Sequence, residues 1–415
     1  MIELIKSENI ALASSLAFQN QRQYLEKYRP FSYDEDKLIL RKGCCFSFGC
    51  SRDAVLAVNN ADMLLDPLAL FDQGGSFEVG SDYFLYLCLD EGNAKLVVSK
   101  NGTFPLGAKA DGSLRIGGFH YGSIRKVSAD GSWTPIDSEG KKFGSGTVKW
   151  QDNVTVGIVP NSVWDMKNRP VTLFGGMVKV GKIWVCIYQA SKRSDFTFME
   201  GDNLVHVADG ELQSKYGMYP VSGIDGLCQY NFAELAARSG MRMLKYSEWL
   251  AAAYGAPQGQ RDGNTYGWCD ESNKIRARTG CSVDPETGKY DGEKGIKPYA
   301  ISAYNVVDTT GNVWEWLSEY TNRHDAPSGE WGYYDQLGPG MGQIYGWKVD
   351  SFSSFAAGGH WHRGSYCGPR AINPDDQPWK VNVHIGTAWP AIPYNATVYR
   401  FVNRETSITV DALKK

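Results

Sequence analysis

The sequence of 415 residues predicts an α+β protein whose N-terminal part is rich in strands, on three observations. Short apolar runs separated by Gly, Asp and Asn fill residues 33–150, as strands joined by turns do. Two helix-length segments, YNFAELAARSG and SEWLAAAYG, then interrupt further strand-like runs, an alternation that suits an α+β domain. Composition agrees: 13% of residues are aromatic and 46 are glycine, a bias toward strands, turns and exposed rings.

A single core rarely grows past roughly 250–300 residues, so the chain divides into at least two units. Residues 1–32 are polar with scattered aliphatics, which suits a short helix or an attachment segment. The β-rich domain follows over 33–154. Within it FEVGSDYFLYLCL and AKLVVS, joined across DEGN, read as a hairpin. The second domain spans 155–415 and opens near VTVGIVPNSVWDMKNRP. In MVKVGKIWVCIYQA, Val178 and Val180 alternate on one side of Gly181, and Ile183, Val185 and Ile187 on the other, the period of a half-buried hairpin. The period then changes. Asn231 followed by Glu234 predicts a helix N-cap and its N3 partner, with Gly240 as the stop. Ser247 predicts the cap of a second helix that ends at Gly255. Beyond 256 the chain is long, Gly-rich and irregular, with NVWEWL (312–317) as its clearest strand. So much non-repetitive chain in one domain occurs chiefly where loops bind.

Charge and cysteines exclude several classes. The formal net charge is −3, so no basic excess recruits nucleic acid. Glu3 stands where a signal peptide wants positive charge, and no apolar stretch reaches 18 residues, which argues against a secretory leader and against membrane insertion. The nine cysteines form no CxxC pair or zinc-like framework and read as structural thiols. NxT sequences at Asn101, Asn153 and Asn395 carry no weight without a secretory route.

Three segments in order, RMLKYSEWLAAAYG (242–255), DTTGNVWEWLSEY (308–320) and GGHWHRGSYCGPRA (358–371), resemble the signature of the formylglycine-generating-enzyme-like branch of the C-type lectin fold. GNVWEW is matched completely at 311–316, while Lys245 replaces a common proline, RGSY (363–366) a fuller glycine pair, and VYRFV (398–402) the usual ending. The resemblance covers roughly 155–403 and implies a C-type-lectin-like C-terminal domain. In GNVWEW, Gly311-Asn312 supplies a tight turn, after which Trp314 and Trp316 share one sheet face and Val313, Glu315 and Leu317 the other. Core packing is the better reading of the two indoles; an aromatic ligand platform is the other.

Catalysis of the kinds known on this fold finds little support. Formylglycine-generating enzymes carry a redox-active cysteine pair in the terminal segment, and here only Cys367 lies beyond residue 281. Sulfoxide synthases of the same fold bind iron through three histidines. His360 and His362 could share a strand face and a metal, but the chain has six histidines and no third lies nearby in sequence. No GxSxG elbow supports a hydrolase.

Residues 358–386, GGHWHRGSYCGPRAINPDDQPWKVNVHIG, resemble instead the variable region of diversity-generating-retroelement proteins, of which phage tropism determinants are one kind. These hold a receptor-binding surface on the lectin-like fold and reassign its residues by adenine-specific mutagenesis, the source of massive sequence variation. The resemblance implies a frame that includes Trp361, Gly364, Ser365, Cys367, Gly368, Arg370, Pro378, Trp379, Ile385 and Gly386. It implies diversified, ligand-binding positions at His360, His362, Arg363, Tyr366, Ile372, Pro374, Asp375, Asp376, Val383 and His384. Residues 100–122 also look like phage tail and variable-protein N-terminal regions, whereas 387–415 run past the place where such regions usually end.

The reading is thus a non-catalytic variable receptor-binding protein of a virion (tail-fibre type, setting host tropism) or of a cell surface. Its partner would be a protein or surface polymer of a host or neighbouring cell, met through a broad shallow patch. The alternative is a formylglycine-generating-enzyme-like enzyme of unknown substrate. No cofactor is implied, although side chains near 308–335 suit either a structural calcium, as in some relatives of this fold, or solvated turns. Trp314, Trp316, Trp361, Arg370 and Trp379 are expected inward, and the diversified residues outward on a segment with little regular secondary structure.

Overall fold

The structure is a computed structural model that describes residues 2–5, 23–28, 36–48, 55–90, 93–125, 154–170, 175–194, 197–200, 203–204, 212–256, 278–280, 301–322, 331–332, 344–345, 352–360, 367–386 and 390–391. Strands dominate both halves. Ser81–Asp90 and Asn93–Ser99 pair antiparallel as the expected hairpin, and the long strand Ser113–Arg125 flanks Ser81–Asp90 on its other side. The alternation of YFLYLCL turns Tyr83, Leu85 and Leu87 into a core with Val98, Ile116 and Phe119. In the N-terminal stretch the described elements are strands, not a helix: Ile2–Ile5 pairs with Val55–Asn59, and Leu25–Lys27 with Leu38–Leu40.

The start of the second unit shifts. Val154–Ile158, expected to open it, pairs with Ser113–Arg125, and Trp164–Asp165 pairs with the same strand. Of this run Ile158 enters the N-terminal core while Val156 is exposed, and residues 154–165 extend the N-terminal sheet.

Met177–Val180 and Ile183–Cys186 form the expected hairpin. Both helices are present, with different beginnings. Gln229–Arg238 starts two residues before Asn231, whose side-chain Oδ1 reaches back to accept from the Cys228 amide at 2.9 Å. Tyr246–Ala252 is capped by Glu248, which accepts from the Lys245 amide at 2.9 Å. In each an N3 side chain satisfies an orphan donor: Asn231, expected at the N-cap, stands at N3 of the first helix, and Glu248, not Ser247, serves the second.

The C-terminal sheet has six strands in the order Trp331–Gly332, Ile344–Tyr345, Gly368–Asn373, Phe352–Gly358, Trp314–Asn322 and Ile385–Gly386. At Trp314–Leu317 it is buried on both faces. Trp314 and Trp316 enter one apolar cluster with Trp184 and Phe232, and Leu317 enters another with Val185 and Trp249. The indoles are therefore core, and they share the face that a period of two assigns them. Gly311 (φ 81°) and Asn312 (φ 60°) make the turn before that strand in the left-handed region that such turns require.

The N-terminal sheet is joined to the segments that flank the hairpin Met177–Cys186 by a largely buried relay. His120 of the N-terminal sheet meets Asp82 through Nδ1 at 2.7 Å and the Tyr188 hydroxyl through Nε2 at 2.9 Å, while the second Asp82 oxygen accepts from the Gly176 amide at 2.9 Å. Ser162 is nearby, but its hydroxyl donates to the Val159 carbonyl at 2.7 Å. The relay holds two parts of the chain together.

Behind the GNVWEW strand lies a buried acid. Asp308 (φ 60°) accepts from the Thr279 hydroxyl at 2.6 Å and the Gly280 amide at 3.1 Å. Desolvation outweighs those bonds and pushes its carboxyl up to about 6 from 3.8. Between those values the folded chain holds a proton that the unfolded chain has released. The group's contribution, about 3 kcal/mol, is present below pH 4 and lost as the pH rises through about 6. Asp308→Asn, which tolerates the same backbone, is expected to flatten the melting-temperature profile over this window; parallel profiles for the two proteins would contradict the assignment.

Candidate functional site

The segment 358–386 is held from beneath. Arg242 clamps Glu248, with Nη1 on Oε2 at 2.7 Å. Burial alone would raise the Glu248 carboxyl, but the bonds from Arg242 and the Lys245 amide hold it below the usual carboxylate range. That clamp fixes the helix Tyr246–Ala252, whose Trp249 Nε1 donates to the Pro369 carbonyl at 3.0 Å and whose Tyr246 hydroxyl donates to the Arg370 carbonyl at 3.2 Å. Both bonds go to backbone, so they hold whatever side chains the segment carries.

Contrary to the expectation of little regular structure, Gly368–Asn373 is a strand that pairs with Phe352–Gly358 and with Ile344. Pro369 is accommodated near its start, where a missing donor costs least. Gly359 (φ 94°) lies against Cys367, whose thiol donates to the His360 carbonyl at 3.2 Å. Cys367 is fully buried, and it does not line the cavity of about 530 Å³ between Lys27, Arg41 and Lys179.

Beyond the strand, residues 374–384 are knitted by polar side chains. Asn373 Oδ1 accepts from the Asp375 amide at 3.0 Å, Asn382 Oδ1 from the His384 amide at 3.0 Å, and Asp376 accepts from Asn373 Nδ2 at 3.3 Å and pairs with Lys380. The Ser354 amide donates to the Asp376 carbonyl at 2.8 Å, and the Gln229 amide to the Pro378 carbonyl at 3.0 Å.

These contacts sort the expected positions. Val383 is 39% exposed, and Pro374, Asp375 and His384 are half-buried at the surface. His360, Ile372 and Asp376 are buried, each for a physical reason. Ile372 faces the core opposite Ala357. Asp376 is the hub of the polar knot. His360 stacks on His384, with ring centroids 4.3 Å apart and planes 14° apart, above Trp314. The imidazole partner of His360 is thus His384, 24 residues away; His362 lies outside the described residues, as do Arg363, Tyr366 and Trp361.

Of the frame residues, Trp314 and Trp316 are buried and Arg370 is half-buried, but Trp379 is 58% exposed. Its neighbour Pro378 gives its carbonyl to the start of helix Gln229–Arg238, and the indole projects outward from that tie.

Trp379 has company that the sequence did not disclose. Tyr320 and Phe352 stack with centroids 5.0 Å apart, and Tyr230 lies 6.4 Å from Tyr320. All three are exposed, and the Tyr320 hydroxyl donates at 3.0 Å to Oε1 of Gln229, the residue whose amide binds the Pro378 carbonyl. Val381 is exposed as well. Tyr230, Tyr320 and Phe352 therefore form a ledge of exposed rings. Large amphipathic rings at modest entropy cost are what binding hot spots use. Only the sheet register, Tyr320 opposite Ser354 and Asn322 opposite Phe352, brings the rings together.

Comparison with known proteins agrees with this architecture. The sulfatase-modifying factor enzyme 1-like domain matches residues 175–386, and the Mtd second domain matches 32–151. A curated relative, the tail fiber receptor-binding protein of Bordetella phage BPP-1, is 26% identical over 300 residues, which are 70% of this chain and 66% of that protein. The chain thus spans just under two thirds of that relative's length. The solved structures of the Major Tropism Determinant U1 and I1 variants superpose with a TM-score of 0.59 at 21% and 22% identity, over 90% of this chain and 84% of theirs. They share its fold.

Proposed function

The chain belongs to the family of the sulfatase-modifying factor enzyme 1-like domain, and on that scaffold we propose that it is a non-catalytic, diversified receptor-binding protein of the diversity-generating-retroelement kind. The observation that carries the proposal is the division of labour in residues 358–386. Hydrogen bonds to its backbone from Trp249, Tyr246, Gln229 and Ser354 hold the segment, while Pro374, Asp375, Val383 and His384 reach the surface. A shape secured through backbone groups survives exchange of the exposed side chains.

The curated relative, a tail fiber receptor-binding protein, supports placing the chain at the host-binding tip of a virion, with a protein or surface polymer of the host as partner. A net charge of −3 gives no overall attraction to nucleic acid. No helix among the described residues is long and apolar enough to cross a membrane. Against the enzyme reading stands Cys367, buried beneath Gly359 and the lone cysteine of the terminal segment.

Replacing Asp375 and Val383 together by alanine is expected to abolish adhesion to cells that the parent chain binds. Each change should alter stability by less than about 0.5 kcal/mol, as surface substitutions usually do. Adhesion that survives with parental strength would contradict the proposal. A reverse-transcriptase gene nearby, with a repeat of this segment that differs only at adenines, is the expected genomic context.

A further inference from the structure

Residues 308–315 carry buried side-chain oxygens of the kind a structural calcium would take, on Asp308, Asn312 and Glu315. Calcium takes six to eight oxygen ligands that converge on one point. Here the Glu315 and Val313 oxygens converge instead on a donor. The side-chain amide nitrogen of Gln189, a fully buried residue, donates to Glu315 Oε1 at 2.9 Å and to the Val313 carbonyl at 3.3 Å. Its own oxygen accepts from Asn312 Nδ2 at 2.8 Å. The Gln189 backbone amide donates to the Thr279 hydroxyl at 3.4 Å, and that hydroxyl donates to Asp308.

An N–H group turns its positive end toward the oxygens, as a cation would, but cannot itself ligate one. A cation bound between Glu315 and Val313 would have to expel Gln189 and leave a buried amide to find new partners, a costly exchange. We propose that the Gln189 amide is this chain's built-in replacement for a cation: it locks the 308–315 turn onto the strand hairpin and makes the lectin-like domain metal-independent. The turn requires such a lock, because Asp308 and Asn312 both sit at φ 60°, a region that non-glycine residues occupy only when their surroundings enforce it.

The test uses the full chain and calcium chloride as the probe. Melting temperatures in EDTA and in excess calcium are expected to agree within about 1 °C, since a ligand that binds the folded state raises that temperature. Gln189→Ala is expected to melt at least about 5 °C lower in EDTA. Gln189→Glu places a second carboxylate beside Glu315 and should melt low in EDTA and recover in calcium. Stabilisation of the unaltered chain by calcium, or a Gln189→Ala protein that melts like the parent, would overturn the proposal. The first comparison needs no variant, so it stands even if Gln189→Ala does not fold.

Discussion

Replacing Trp314 by alanine is expected to lower the stability of the chain by about 3–5 kcal/mol, the range for removing a large aromatic from a core. Trp314 is 2% exposed, its backbone amide donates to the His384 carbonyl at 2.8 Å, and its ring underlies the stacked His360. The cavity would open directly beneath the candidate receptor surface, and neighbouring Trp184 and Ile385, in the same cluster, are held in sheets that cannot collapse inward to fill it. Adhesion should fall together with stability, whereas Val383→Ala should separate the two. Urea unfolding of both proteins decides the matter. A loss below about 1 kcal/mol for Trp314→Ala would mean that the indole is not a core anchor.

Gly359→Ala is expected to be as damaging. A Cβ on Gly359 would stand 2.4 Å from the Cys367 thiol and 2.8 Å from the Cys367 Cα, at a φ of 94°. Backbone strain of this kind costs on the order of 1–3 kcal/mol, and overpacking in a close-packed site about as much again. Neither neighbour can retreat. Cys367 leads into the strand Gly368–Asn373, and its thiol is bonded to the His360 carbonyl. Gly181→Ala is the control: its φ of 58° is also left-handed, but no atom lies within 4 Å of the added carbon. That change should cost only about 1–2 kcal/mol, the conformational term alone. Equal losses in the two proteins would show that the contact with Cys367 contributes nothing.

The parts of this fold legible in the sequence are those written in local pattern. YFLYLCL and NVWEWL have a period of two, and both are strands with the face assignments that period implies. The two helices were legible as elements because glycines end their runs. Their first residues were not, because Asn231 and Glu248 cap from the N3 position by reaching back. At the candidate site, punctuation by glycine and proline marked the segment, but burial along it is set by partners far away in the chain. Ile372 is core because it pairs with Ala357, Asp376 is buried because Ser354 and Asn382 close on it, and Trp379 is outward because Pro378 serves a distant helix. The ledge of Tyr230, Tyr320 and Phe352 had no local signal at all, since it exists only in the register between two strands and one helix start.

The division between a fixed frame and an exchangeable surface is tested most directly by sequencing the codons for residues 358–386 in many clones propagated independently from one ancestor. The account predicts replacements concentrated at the surface positions Pro374, Asp375, Val383 and His384, made by changes at adenines, with Gly359, Cys367, Ile372 and Ile385 constant. Replacements spread evenly along the segment, or gathered at those four buried or strained positions, would contradict it.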